Sequence, residues 1–228
     1  MEAGINKSNG ATAHVDAQPE AAREEAARRV FLWGALAVLV AFGLAVAGLR
    51  AADEAPEAVA LRLMQGIGAE LVERRLTAEE AEWPLETPQG ATLRLADLPA
   101  DTLVFLNFWA TWCPPCREEL PSMLGLREAL GEHRFLMVGV SYDDDWEAVR
   151  GFFGGWLGAM PPPAQLTLVR DARGVSSGED ALRRRFGTDK LPDTVVLMNG
   201  RVLAKFTNAR TWTDPGIVRY FKALAPLR

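Results

Sequence analysis

The sequence predicts a mixed α/β domain, a central sheet with helices on its faces, behind an N-terminal transmembrane helix. Three observations predict it. Short apolar runs of strand length alternate with helical stretches from Trp83 onward. Near the C-terminus two such runs flank Asn199-Gly200, the strongest short hairpin signal, so the sheet contains antiparallel as well as parallel pairs. An apolar run without a single charge fills Val30 to Leu49. As a helix it would span about 30 Å, the thickness of a bilayer's hydrocarbon core.

Composition narrows the function. The chain has 228 residues, 49% of them hydrophobic, which suffices for a real core and is too apolar for disorder. A net charge of −5 excludes a broad nucleic-acid surface. Two cysteines cannot build a disulfide scaffold, and with two histidines, His14 and His133, they cannot furnish a zinc finger.

Residues 1–29 are rich in Ala, Glu and Arg, lack an apolar face, and read as a cytoplasmic tail. Residues 30–49 read as the anchor. Arg28 and Arg29 precede the run and Asp53, Glu54 and Glu57 follow it, so the charge bias puts the C-terminal part outside the cytoplasm. Ala45-Val46-Ala47 has the small-x-small form of a signal cleavage site. The long polar stretch before the run, and its full spanning length, favour an uncleaved anchor instead. The expected location is therefore the inner membrane, single-pass, with the C-terminal domain in the periplasm.

Residues 50–82 carry Val59, Leu63, Ile67 and Leu71 at helical spacing and read as an amphipathic linker helix. The domain is expected over 83–228. Pro84–Glu86 and Thr92–Leu95 flank the turn at Pro88-Gln89-Gly90 as a short hairpin. Leu103 to Trp109 is nearly all apolar, as a strand covered on both faces should be. A helix follows from Pro115 to Leu130, then a second buried strand over Phe135–Ser141. Asp144 with Glu147 three residues on looks like a capping box opening another helix, with Asp143-Asp144-Asp145 as its solvated start. Trp146, Phe152, Phe153 and Trp156 would face the core from that helix, and Met160 to Pro163 reads as a loop. A third strand is expected at Leu166–Val169 and a helix near Gly178–Phe186. The hairpin strands Thr194–Met198 and Val202–Phe206 come next, and a last helix runs over Asp214–Ala225.

Chemistry concentrates in Trp109-Ala110-Thr111-Trp112-Cys113-Pro114-Pro115-Cys116, where a buried strand gives way to a helix. Cysteines three apart at a helix start lie on one side, close enough to bridge. The first sulfur sits by the unpaired N–H groups of the first turn, whose field favours a thiolate. A depressed pKa makes Cys113 both a nucleophile and a good leaving group. Cys116, one turn in, is more shielded and can attack a mixed disulfide formed at Cys113. The intervening prolines stiffen the loop. A purely structural disulfide across so short a loop would stabilise little, and a metal site lacks further ligands. On the helix, Glu119 lies beside Cys116 and Met123 at the core's edge, where burial would raise its pKa and let it carry the Cys116 proton. Asn107, in the middle of the buried strand, is an amide that needs partners.

This active-site stretch resembles that of the thioredoxin superfamily. With the anchor and Cys116-Arg117-Glu118-Glu119-Leu120-Pro121 it is similar to the TlpA/ResA-like extracytoplasmic thiol–disulfide oxidoreductases. The resemblance covers roughly residues 83–228. It implies a thioredoxin-like fold, redox-active Cys113 and Cys116, a functional Glu119, and Trp112 shielding the sulfur and touching substrate. Thioredoxin has an aspartate where Asn107 stands, so that proton role would pass to Glu119. It implies a tolerated kink at Pro121 and a cis-proline at Pro192 facing the disulfide, with the Leu191 backbone pairing to an extended substrate. The long interval before Pro192 fits a family insertion within Gly154–Gly187. No cofactor or metal is implied. The implied partners are protein disulfide substrates, apocytochrome c among them, and a membrane electron donor of the DsbD/CcdA type. The same chemistry run backwards is a disulfide donor, and about 30 mV of potential, or about 1.4 kcal/mol, separates preferences tenfold. Peroxiredoxins share the architecture but carry a threonine where Ala110 stands here. A redox-silent binding protein on the same fold is the remaining alternative.

Overall fold

The computed structural model describes residues 18–52, 56–156, 163–178 and 180–227. The chain divides into two units, Met1–Glu54 and Ala55–Arg228. The first contains one helix, α1 (Gln18–Ala52), within which Arg23–Leu44 is long and apolar enough to cross a membrane, with a mean hydropathy of 1.7. Val30, Phe31, Trp33 and Phe42 are all exposed on it.

In the second unit the chain runs α2 (Pro56–Ile67), β1 (Glu70–Arg75), α3 (Ala78–Ala81), β2 (Leu85–Glu86), β3 (Thr92–Leu93), β4 (Leu103–Trp109), α4 (Pro114–Ala129), β5 (Phe135–Ser141), α5 (Trp146–Trp156), β6 (Leu166–Arg170), α6 (Ala172–Ser177), α7 (Leu182–Arg185), β7 (Asp193–Met198), β8 (Arg201–Thr207) and α8 (Pro215–Leu224). One mixed sheet orders its strands β1-β8-β7-β4-β5-β6-β2-β3. β4, β5 and β6 are parallel, while β7 and β8 pair antiparallel across the Asn199-Gly200 turn and β7 runs antiparallel to β4. Every residue of β4 is buried, because it lies inside the sheet with helices over both faces. Phe221 of α8 packs with Phe105, Phe206 and Trp212, ring centroids 4.6–6.3 Å apart and edge to face wherever Trp212 is a partner, contacts worth about 0.5–1.5 kcal/mol each beyond area burial.

Several expectations need correction. Residues 50–82 are not one linker helix, and the compact unit begins at Ala55 instead of Trp83. Gly68, at φ +64°, ends α2 in the left-handed region. The chain then enters β1, which pairs antiparallel with β8 as an edge strand. Leu71 matched the helical spacing by coincidence. A register shift between Leu71 and Arg74, with Glu73 at φ +42°, bends this edge as a bulge does.

Of the helix expected over Gly178–Phe186 only the short α7 forms, and α6 lies just before it, ending at Ser177. Gly178 turns the chain at φ +67°, and the buried Asp171 carboxylate organises both pieces. It accepts the N–H groups of Gly174 at 2.9 Å and Leu182 at 2.8 Å, together with Trp83 Nε1 and the Tyr142 hydroxyl. The cap of α5 is Asp145, whose Oδ1 accepts the Ala148 N–H at 2.8 Å, instead of Asp144. Asp143 is not solvated at all; it is 1% exposed. From α5, Trp146 and Phe153 are buried as expected and Phe152 partly so. The Trp156 side chain, the tail up to Ala17 and most of the Met160–Pro163 loop lie outside the described residues.

Candidate active site

The site forms where β4 ends and α4 begins. Cys113 is the N-cap residue of α4, and Pro114 and Pro115 fill its first turn, where a missing N–H costs nothing. Cys113 and Cys116 are joined in a disulfide with Cα atoms 5.4 Å apart. The Cys116 N–H points at Cys113 Sγ, 3.4 Å away, so the first sulfur receives the helix's free donor.

The two cysteines face different surroundings. Cys113 lines an open cleft of about 770 Å³ with Trp112, Tyr142, Arg183, Lys190 and Leu191. Trp112, 65% exposed, stands at this cleft. Cys116 instead borders a narrow internal void with Asn107, Trp109, Leu120, Met123 and Gly139. The Leu191–Pro192 peptide is cis. Leu191 lies in the cleft beside Cys113, and Pro192 is buried. The following Asp193 pairs with Lys205 Nζ at 3.3 Å, and the same ammonium donates to the carbonyls of Phe186 and Gly187. This nearly buried cation ties β7 to the end of α7.

Glu119 is 3% exposed. Its Oε1 accepts Asn107 Nδ2 at 3.0 Å; its Oε2 accepts Trp212 Nε1 at 2.9 Å and the Arg210 backbone N–H at 3.3 Å. Burial pushes its carboxyl up to about 7, against the pull of those donors and of the Arg210 charge. Asn107 also donates to Thr194 Oγ1 at 3.0 Å. The amide therefore links Glu119 to the void beside Cys116. Pro121 is tolerated inside α4, where Ser122 Oγ donates to the Glu119 carbonyl at 2.7 Å and accepts the Trp212 N–H.

A second buried carboxylate fixes the outer side. Asp143 accepts the Thr111 N–H and hydroxyl, the latter at 2.6 Å, and the Ser141 hydroxyl at 2.7 Å. It thus fastens the turn leading into Trp112 and Cys113 to the end of β5. Of the residues the sequence placed at the site, Trp112, Cys113 and Leu191 line the cleft, Cys116 lies on the inner side, and Glu119 reaches that side through Asn107. Sequence reasoning missed Asp143, Thr194, Arg210 and Trp212. None of these has a local motif; only Asp143 carried a signal, an acidic residue directly after a buried strand.

The AhpC/TSA family matches residues 77–152, the segment that contains both cysteines. The thiol:disulfide interchange protein HelX of Rhodobacter capsulatus is 31% identical over 139 residues, covering 60% of this chain and 70% of HelX. The chain belongs to the thiol–disulfide oxidoreductase family of the thioredoxin superfamily. Among its relatives in that family is the thiol–disulfide oxidoreductase ResA of Bacillus cereus, 33% identical over 95 residues. That match covers 42% of this chain and 54% of ResA, so the chain spans about half the length of the ResA relatives it matches. The fold is shared with the crystal structure of a DsbE thiol:disulfide interchange protein from Chlorobium tepidum. The TM-score is 0.52 at 24% identity, over 68% of this chain and 99% of the other.

Proposed function

We propose that this member of the family is a membrane-tethered enzyme that reduces protein disulfides outside the cytoplasm by dithiol–disulfide exchange. In the reduced enzyme the Cys113 thiolate attacks one sulfur of a substrate disulfide. A mixed disulfide forms and one substrate thiolate leaves. Glu119 takes the proton of Cys116, whose thiolate then attacks Cys113 Sγ. The second substrate thiolate leaves, the Cys113–Cys116 bond closes, and two electrons have passed to the substrate. Trp112 and the Leu191 backbone line the approach, with Pro192 holding the bend. The helix within Arg23–Leu44 supplies the tether, and a membrane electron donor of the DsbD/CcdA type restores the dithiol. Apocytochrome c is the client class this role fits, since its thiols must be free before haem is attached.

The observation that carries the reading is the unequal setting of the two sulfurs. One lies on an open cleft at a helix N-terminus; the other lies inside, beside the amide that holds Glu119. The test is insulin reduction by the full chain in detergent. Cys113→Ser should abolish turnover, and Cys116→Ser should hold clients as stable mixed disulfides. An inactive wild-type chain would overturn the proposal.

A further inference from the structure

Among the described residues, Glu119 is met by N–H donors only. These are Asn107 Nδ2, Trp212 Nε1 and the Arg210 backbone N–H. An ionised carboxylate accepts all three. A protonated carboxyl has an O–H of its own and needs an acceptor, and neither an indole N–H nor a peptide N–H can become one. Asn107 can, because a half-turn of its amide exchanges the N–H₂ for the C=O. Its other partner, Thr194 Oγ1, is a hydroxyl, which accepts in one state and donates in the other. Both residues are 1% exposed, so water is a poor substitute at either.

We propose that Asn107 is a positioning residue whose amide turns over, with Thr194 as its reversible partner, each time Glu119 gains or loses a proton. The inference rests on Glu119 being the proton carrier for Cys116. The step balances simply. The Cys116 proton arrives on Glu119 Oε1, Asn107 rotates to present Oδ1 to it, and the Thr194 hydroxyl swings to donate to the same oxygen. No covalent bond in Asn107 or Thr194 changes. Two other charged groups face this region and are engaged elsewhere. The Arg210 guanidinium lies over Phe206 and Trp212 and donates to the carbonyls of Ile67 and Thr207. Asp193 is paired with Lys205.

The test follows the Glu119 titration by carbon NMR of glutamate-labelled full chain in detergent, kept oxidised so that neither sulfur titrates. The Glu119 signal is assigned by its loss in Glu119→Gln. Trp212→Phe removes a donor to Oε2 that binds the carboxylate more strongly than the neutral carboxyl, so the midpoint should climb by about one pH unit. Asn107→Leu removes a partner from both forms, and the midpoint should move by less than about half a unit. A climb in Asn107→Leu as large as in Trp212→Phe would mean a fixed donor and overturn the proposal. The wild-type chain gives an independent reading if a variant does not fold. Cross-peaks from the Asn107 amide protons to Thr194 should be present above the Glu119 midpoint and vanish below it, and their persistence on both sides would refute the turnover. Both measurements use the oxidised protein and read no catalysis, so they fail or succeed separately from the insulin assay.

Discussion

Replacing Glu119 by Gln should change how stability depends on pH by an amount the structure sets. The Glu119 carboxyl is raised by burial from 4.5 to about 7. Between those values the folded chain keeps a proton that the unfolded chain has lost. Folding stability therefore falls as pH rises through this window; the favourable contribution is complete below about pH 4.5 and gone above about 7. At about 1.4 kcal/mol per unit the difference amounts to about 3 kcal/mol. Glu119→Gln carries no such proton, so this part of the pH dependence should vanish. Its shape is kept, and Asn107 can turn its carbonyl toward the new amide.

The assay is urea unfolding of the oxidised full chain and of the variant, from pH 4 to pH 8, followed by the fluorescence of buried Trp83 and Trp212. Other carboxylates contribute to each curve; Glu80 moves in the opposite direction. Burial pushes the Glu80 carboxyl up, but the paired Arg74 guanidinium and the Thr77 N–H hold it below its ordinary value. These contributions cancel in the difference between wild type and variant. Relative to Glu119→Gln, the wild type should lose about 3 kcal/mol between pH 4 and pH 8. A flat difference would mean that Glu119 ionises like an exposed side chain. The reasoning that makes it a proton carrier near neutrality would then fail.

Three further outcomes follow. Lys205→Met leaves the Asp193 carboxylate buried without its cation and should cost about 3–5 kcal/mol in urea unfolding; a loss under about 1 kcal/mol would contradict the clamp. Asp143→Ala strands the Thr111 N–H and hydroxyl and the Ser141 hydroxyl. It should cost about 1–3 kcal/mol for each group left unpaired, and raise the KM for insulin more than it lowers kcat, with Asp143→Asn partly rescuing. Gly139→Ala places a methyl 3.0 Å from Trp109 Nε1 and 3.3 Å from Leu166 and Leu168. The overpacking should cost about 1–3 kcal/mol, seen as a lowered Tm.

Much of the site was legible because its determinants are local. The strand β4, the two prolines and both cysteines form one continuous stretch, and Glu119 follows from helical spacing within α4. What could not be read comes from elsewhere in the chain. Thr194 reaches Asn107 because β7 pairs with β4 in a register that sets those two residues opposite each other. Trp212 and Arg210 arrive on the loop between β8 and α8, with no pattern of their own. β1 was hidden by accidental spacing, and Asp143 by its acidic neighbours. In each case the deciding contact lies many residues away, where periodicity carries no information.

The retention of a destabilising carboxyl in the core is itself informative. A buried glutamate held only by N–H donors and desolvation weakens the fold above its pKa, and an amide or apolar side chain of similar size would not. Its position answers a requirement that differs for the two sulfurs. Cys113, on the cleft and at the helix N-terminus, can reach its thiolate with the help of backbone N–H groups alone. Cys116 is buried beside a space too narrow for water, so its proton needs a protein acceptor. An acid tuned to about 7, joined to that space through Asn107, can take the proton at neutral pH and return it when the disulfide is reduced. An acid at the ordinary carboxylate value would be a weaker base, and one several units higher would stay protonated. On the proposed mechanism the stability given up at Glu119 and the reactivity gained at Cys116 would have one physical cause, the burial of the inner side of α4.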